Sequence, residues 1–107
     1  MNIAQNQQGT ISVFTLQGRA DSVGVDQLEH TLRQANTFRM ILDLSQLRYI
    51  NSAGLRVLAA MLTENQASGG DLLLVAPSGK IRRVFEIIGF DKFFRVFDSL
   101  DTAVREF

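Results

Sequence analysis

The chain contains no cysteine and no tryptophan, a single proline and a single histidine, and no surplus of either charge. Each shortage closes a class of function. Without cysteine there is neither a disulfide framework nor a thiolate metal ligand, and 107 residues with 46% hydrophobic content hold a core without them. A reducing, cytoplasmic location is the expectation. His30 alone supplies too few members for a histidine metal cluster or a serine–histidine arrangement, and in a helical surface pattern it reads as a solvated side chain. Eleven basic and eleven acidic residues cancel, so no long-range field gathers nucleic acid or an anionic membrane. Long apolar runs are missing too, because Asp43 and Arg56 interrupt the best stretches, and Met1 to Thr10 lacks the basic and apolar regions of a signal peptide. No nucleic-acid partner and no membrane insertion are expected, and one domain spanning residues 1–107 is the domain count.

What is present is a regular change of period. Thr10 to Gln17 is β-branched and aromatic in partial alternation, which predicts a strand ending at Gly18. From Ser22, the residues Val25, Leu28, Leu32 and Ala35 fall at helical spacing. Arg39 to Leu44 is a nearly continuous apolar run, the pattern of a strand covered on both faces. Ser45 to Asn51 reads as a connection, and Ser52 as the cap of a second helix with Leu55, Leu58, Ala59 and Leu62 buried and Gly69-Gly70 at its end. Leu72 to Ala76 is another buried strand, closed by Pro77. Ser78 is the next expected cap, before a helix burying Ile81, Val84, Phe85 and Ile88 and stopping at Gly89. Phe93 to Phe97 predicts a short strand, and Ser99 caps a final helix with Leu100, Ala103, Val104 and Phe107 on one side. Strands alternating with helices on short links define an α/β layer fold, at least partly parallel. From this pattern alone a doubly wound sheet is the expected form.

Few residues carry a chemical signal. Ser78-Gly79-Lys80 has the ending of a phosphate-binding loop, yet Leu74 and Ile81 stand where that loop needs glycine and a hydroxyl, so a helix start is the better account. Asp43, a carboxylate in an apolar strand, is expected to bind nearby backbone donors, since no second carboxylate is spaced to make a catalytic pair. Arg82 and Arg83 next to Lys80 read as a solvated helix face. The segment that stands out runs from Asp43-Leu44-Ser45 to Asn51-Ser52-Ala53-Gly54-Leu55, where a buried strand turns directly into a helix. A serine there caps the helix, a contribution of about 1 kcal/mol. The same position would also hold a phosphate against free N–H groups and the helix dipole, adding nearly two negative charges at an exposed corner.

Ile50-Asn51-Ser52-Ala53-Gly54-Leu55, preceded by Asp43-Leu44-Ser45, resembles the signature of the bacterial anti-sigma factor antagonists of the STAS family, usually Asp-Ser-Ser-Gly-Leu before a helix. Leu16-Gln17-Gly18-Arg19-Ala20-Asp21 is similar to the family's Gly-x-x-Asp turn, Gly69-Gly70-Asp71-Leu72 to its glycine-led strand, and Val84-Phe85-Glu86-Ile87-Ile88-Gly89-Phe90 to its late helix. The resemblance therefore covers nearly the whole chain in order. It implies a single STAS-type α/β domain, a mixed sheet of four to five strands with about four helices mainly on one face, in place of the doubly wound sheet.

The resemblance implies a partner-switching regulator of transcription that is not an enzyme and has no catalytic residues, cofactor or metal. The unphosphorylated form would bind an anti-sigma factor that is also a serine kinase, releasing a sigma factor or another regulated target. Phosphorylation of Ser52, the residue matching the family's acceptor, would end the binding, and a serine phosphatase would restore it. Asp21 matches an acidic residue near that serine. The partner-binding surface implied is Asp21, Asn51, Ser52, Ala53, Gly54, Leu55 and Arg56, with Ala53 and Gly54 letting another backbone approach. Asn51 replaces the usual aspartate and Ala53 the usual second serine, which leaves Ser52 as the motif's only serine acceptor. Arg56, four residues on, is spaced to reach a phosphate on Ser52. The alternative is a cytoplasmic STAS-type structural subunit of a lipid or anion transport complex, docking through the same turn without phosphorylation.

Overall fold

The structure, a computed structural model, describes residues 1–76 and 79–107. In chain order the elements are β1 (Asn2–Gln8), β2 (Ile11–Ala20), α1 (Ser22–Gln34), β3 (Arg39–Ile50), α2 (Ser52–Ala67), β4 (Asp71–Val75), α3 (Lys80–Ile88), a single 3-10 turn (Phe90–Lys92), β5 (Val96–Phe97) and α4 (Leu100–Arg105). The five strands form one sheet in the order β1-β2-β3-β4-β5. β1 pairs antiparallel with β2, and every later pair is parallel.

This order decides where the helices go. Each parallel step moves to the next strand in the same direction, and a right-handed crossover then always falls on the same face. α1, α2 and α3 accordingly share one face, and a doubly wound arrangement is ruled out because the strand order never reverses. Alternation along the strands supplies both faces. Phe14, Leu16, Met40, Leu42, Leu44, Leu72 and Leu74 point into the main core with Leu28 and Leu32 of α1, Leu58 and Met61 of α2, and Ile81 and Phe85 of α3. Ile11, Val13, Ile41, Leu73 and Val75 point the other way and are covered by Ala103 with Leu100, Val104 and Phe107. Among the described residues α4 is thus the one helix on the second face, which agrees with helices mainly on one side.

Several boundaries differ from the sequence reading. The polar N-terminus is strand β1, an edge strand with nearly all its side chains exposed, where Gln and Asn cost little because only one backbone edge must pair. β3 continues through the expected connection to Ile50, since Leu44, Leu47 and Ile50 remain buried while Ser45, Gln46, Arg48 and Tyr49 face solvent. Irregularities between Thr15/Gln17 and Gly18/Arg19 in the pairing with β2 shift the two-residue period there. In α3, Ile81 and Phe85 are buried but Ile88 is exposed, as is Ile87. The strand expected at Phe93 to Phe97 is limited to Val96–Phe97. The closing role expected of Pro77 and the cap expected of Ser78 lie outside the described residues. Of the two glycines after α2, Gly69 takes the left-handed conformation (φ +83°), whereas a Cβ on Gly70 would collide with the Phe38 carbonyl oxygen.

Candidate functional site

The site begins where β2 and β3, parallel neighbours, end side by side. Ala20 pairs with Ile50, and the Asn51 N–H donates to the Ala20 carbonyl at 3.0 Å, tying the two strand ends at the moment each chain turns into a helix. Asp21 and Ser52, far apart in sequence, are thereby set on adjacent corners. Asp21 is the N-cap of α1, its carboxylate accepting the Gly24 N–H at 3.4 Å. Asn51 is the N-cap of α2, its side-chain oxygen accepting the Gly54 N–H at 2.8 Å.

Here the sequence reading is corrected. Ser52 does not cap α2; Asn51 does, and Ser52 is the first helical residue, exposed to solvent. Asparagine and serine are equally good caps; the extended backbone that an N-cap requires falls at Asn51 (φ -87°, ψ 177°), while Ser52 already lies in the helix. The Ser52 hydroxyl is relieved of that structural role. At α4 the expectation holds, with Ser99 accepting the Thr102 N–H at 3.3 Å.

Gly54 also has a different use from the expected one. It is buried, and a Cβ there would lie 2.6 Å from Ile50 Cγ1 and 3.3 Å from Val25 Cγ2. The close approach it permits is internal, seating α2 on β3 and α1. Ala53 and Leu55 are half-buried, while Ser52 and Arg56 are exposed. Of the expected surface residues, Asp21, Asn51, Ser52, Ala53, Leu55 and Arg56 therefore gather at one end of the molecule, and Gly54 lies beneath them.

Residues that the sequence reading did not single out flank the corner. The Arg19 guanidinium stacks over the Tyr49 ring, 4.4 Å from its centroid, within favourable cation–π range. Arg19, Arg48 and Asp21 line a polar depression of about 410 Å³ together with Met1 and Gly18. The signal for Arg19 and Tyr49 is their register in neighbouring parallel strands, which a single sequence does not display. Asp43 behaves as expected, accepting the Ser45 N–H at 3.0 Å, and His30 is exposed. Arg82 is more than a solvated side chain, since it donates to the Ala76 carbonyl at 2.7 Å and to Asp98 at 2.9 Å. Among the described residues no group of three or more His, Cys, Asp or Glu is placed to hold a metal ion, and no helix is long and apolar enough to cross a membrane.

A mixed sheet with three helices on one face and an exposed serine opening the second helix makes a small domain with no crevice at a reversal of strand order. Residues 2–103 match the STAS domain family. The chain is 34% identical to BtrV of Bordetella bronchiseptica, named as an anti-sigma factor antagonist, over 100% of this chain and 95% of that protein. An anti-sigma factor antagonist from Mycobacterium paratuberculosis superposes with a TM-score of 0.89 at 26% identity, covering 98% of this chain and 92% of that one. A sulfate transporter family protein from Wolinella succinogenes shares the fold (TM-score 0.76, 22% identity, 91% of this chain and 84% of that one). The chain belongs to the STAS domain family of anti-sigma factor antagonists.

Proposed function

We propose that this protein is a partner switch, a binding protein that catalyses no reaction of its own and whose state is set by phosphorylation of Ser52. The observation that carries the reading is the division of labour at the start of α2: Asn51 makes the cap bond, so the exposed Ser52 hydroxyl is left free to serve a partner. In the unmodified state the corner formed by Asp21, Asn51, Ser52, Ala53, Leu55 and Arg56 binds an anti-sigma factor with serine kinase activity, and the sigma factor or other regulated target is released. Phosphoryl transfer places roughly −1.5 to −2 charges on Ser52. A partner surface that fitted a neutral hydroxyl then meets an anion whose desolvation costs more than the contact returns. A serine phosphatase resets the switch.

Replacement of the usual aspartate by Asn51 preserves the cap while removing a carboxylate from beside the phosphate. Arg56, exposed one turn further along α2, is placed to approach that phosphate at (i, i+4) spacing. Arg56→Ala should shorten the lifetime of phospho-Ser52 towards the phosphatase or raise its second pKa, followed by ³¹P NMR; an unchanged titration and lifetime removes Arg56 from the switch.

The direct test is capture from a lysate of the native host with the wild-type, Ser52→Ala and Ser52→Asp proteins as baits. Recovery of an ATP-binding serine kinase by the first two and its loss with Ser52→Asp is the expected result. Recovery of transporter subunits by all three baits would overturn it and make the protein a structural subunit.

A further inference from the structure

The second irregularity in the pairing of β2 with β3 places an arginine. Gly18 lies opposite Leu47 and Arg19 opposite Tyr49, so Arg48 is the extra residue of β3 at that point. An extra residue breaks the two-residue alternation of a strand and re-aims the side chain it carries. Leu47 and Ile50 accordingly stay buried while Arg48 and Tyr49 are both exposed between them. Arg48 thereby lines the depression of about 410 Å³ that Gln17, Gly18, Arg19 and Asp21 also line.

The two arginines of this depression are unlike most others of the chain. Among the described residues, Arg33, Arg82 and Arg95 are taken up by carboxylates and Arg39 donates to Thr10, whereas neither Arg19 nor Arg48 has a carboxylate within ion-pair distance. The Arg19 guanidinium is held over the Tyr49 ring, 4.4 Å from its centroid. A stacked guanidinium keeps its N–H donors at the edge, and fixing it in advance lowers the entropy lost when an anion arrives. Asp21, the acid of the depression, already gives a carboxylate oxygen to the Gly24 N–H. Two cations against one acid leave a local excess of positive charge in a chain whose eleven basic and eleven acidic residues cancel.

We propose that this depression receives an aspartate or glutamate side chain of the anti-sigma factor kinase, and that Arg19 and Arg48 thereby set partner choice and docking rate; this rests on the Ser52 switch described above and names the charge its partner carries. A carboxylate matches the paired donors of a guanidinium. The depression adjoins the Ser52 corner through the Asn51 N–H to Ala20 carbonyl bond, so an acid presented by a protein seated at the corner arrives at high effective concentration, which a free anion does not. Phosphorylation then has a defined electrostatic effect. Ser52 follows Tyr49 by three residues, at most ~11 Å of chain, close to the ~8 Å Debye length at physiological ionic strength. A phosphate of roughly −1.5 to −2 charges cancels the two arginines and, with Asp21, repels the incoming carboxylate, so attraction turns to repulsion without a change of fold.

The test takes the serine kinase captured by the wild-type and Ser52→Ala baits, purified, and follows its association with immobilised full-length wild type, Arg19→Gln, Arg48→Gln, Arg48→Glu and Arg48→Lys over a range of salt concentrations, at a temperature where melting curves show every variant folded. The wild-type association rate constant should fall steeply with salt. Each glutamine variant should lose roughly tenfold at low salt and show a shallower salt dependence. Arg48→Glu should lose more, and Arg48→Lys, which keeps the charge, should retain most of the rate. Rates indifferent to both arginines and to salt, with Ser52→Asp still abolishing binding, overturn the acidic partner and leave the switch standing. Saturable binding of ATP or inorganic phosphate that is lost in Arg48→Gln, while kinase association is unchanged, makes the depression a small-anion site and overturns the proposal. Failure of every bait to capture a kinase overturns both readings.

Discussion

At the scale of single residues, the start of α2 separates two roles that a sequence reading assigns to one side chain. Asn51 holds the helix end and Ser52 faces outward. Asn51→Ala should therefore cost about 1 kcal/mol of unfolding free energy, whereas Ser52→Ala should stay within about 0.5 kcal/mol of the wild type. Urea denaturation of the two variants decides it. If the alanine at 52 is the more damaging, the serine is the cap and the hydroxyl is not free. Asn51→Asp should keep the stability, since aspartate caps as well as asparagine, while adding a negative charge next to the acceptor. The motif itself was legible in the sequence, as was its place between a buried strand and a helix. What was not legible is which of two adjacent capping residues wins, because both are good N-caps and the backbone conformation of each decides between them.

At the scale of elements, α1 and α2 are joined above the core by Arg33, which donates to both carboxylate oxygens of Glu64 at 2.8 and 3.1 Å and also meets Glu29 at 3.1 Å. These hydrogen bonds hold the Glu64 carboxyl below its ordinary value of 4.5, with desolvation opposing and Coulomb attraction to Arg33 assisting. Because the folded-state pKa is the lower one, the stabilisation is present above the unfolded-state value and is lost as the pH falls through the folded-state value. The side chains are 43% and 50% exposed, so the effect is small and screened by salt. Glu64→Gln should melt slightly below the wild type at pH 7 and together with it near pH 3, and at ~1 M salt the difference at pH 7 should shrink. A gap that persists in acid would mean that packing, and not charge, joins the helices. Such a pair is invisible in the sequence. Arg33 and Glu29 lie at helical spacing, but the partner on α2 is fixed only once the crossover has brought the helices together.

At the scale of the whole molecule, period and composition identified, among the described residues, four of the five strands and all four helices, with β5 shorter than expected. The order of the strands had to come from elsewhere. A doubly wound sheet and the observed one contain the same alternating elements and differ in which strand each crossover joins, a matter of long-range pairing that apolar spacing does not encode. β1 escaped because an exposed edge strand has no apolar face to betray it. One consequence of the observed order is a separation of duties between the two sides of the sheet. α1 and α2 begin at the proposed partner corner, while α4 covers Ile11, Val13, Ile41, Leu73 and Val75 on the opposite face. Ala103 is fully buried in that contact. Ala103→Leu forces extra volume between α4 and the sheet and should cost about 1 to 3 kcal/mol, read as an earlier urea midpoint. At temperatures where the variant remains folded, it should bind the partner recovered with wild-type protein at unchanged affinity and be phosphorylated on Ser52 at an unchanged rate. A binding loss in excess of the unfolded fraction would show that the second face belongs to the partner surface, and that the corner does not act alone.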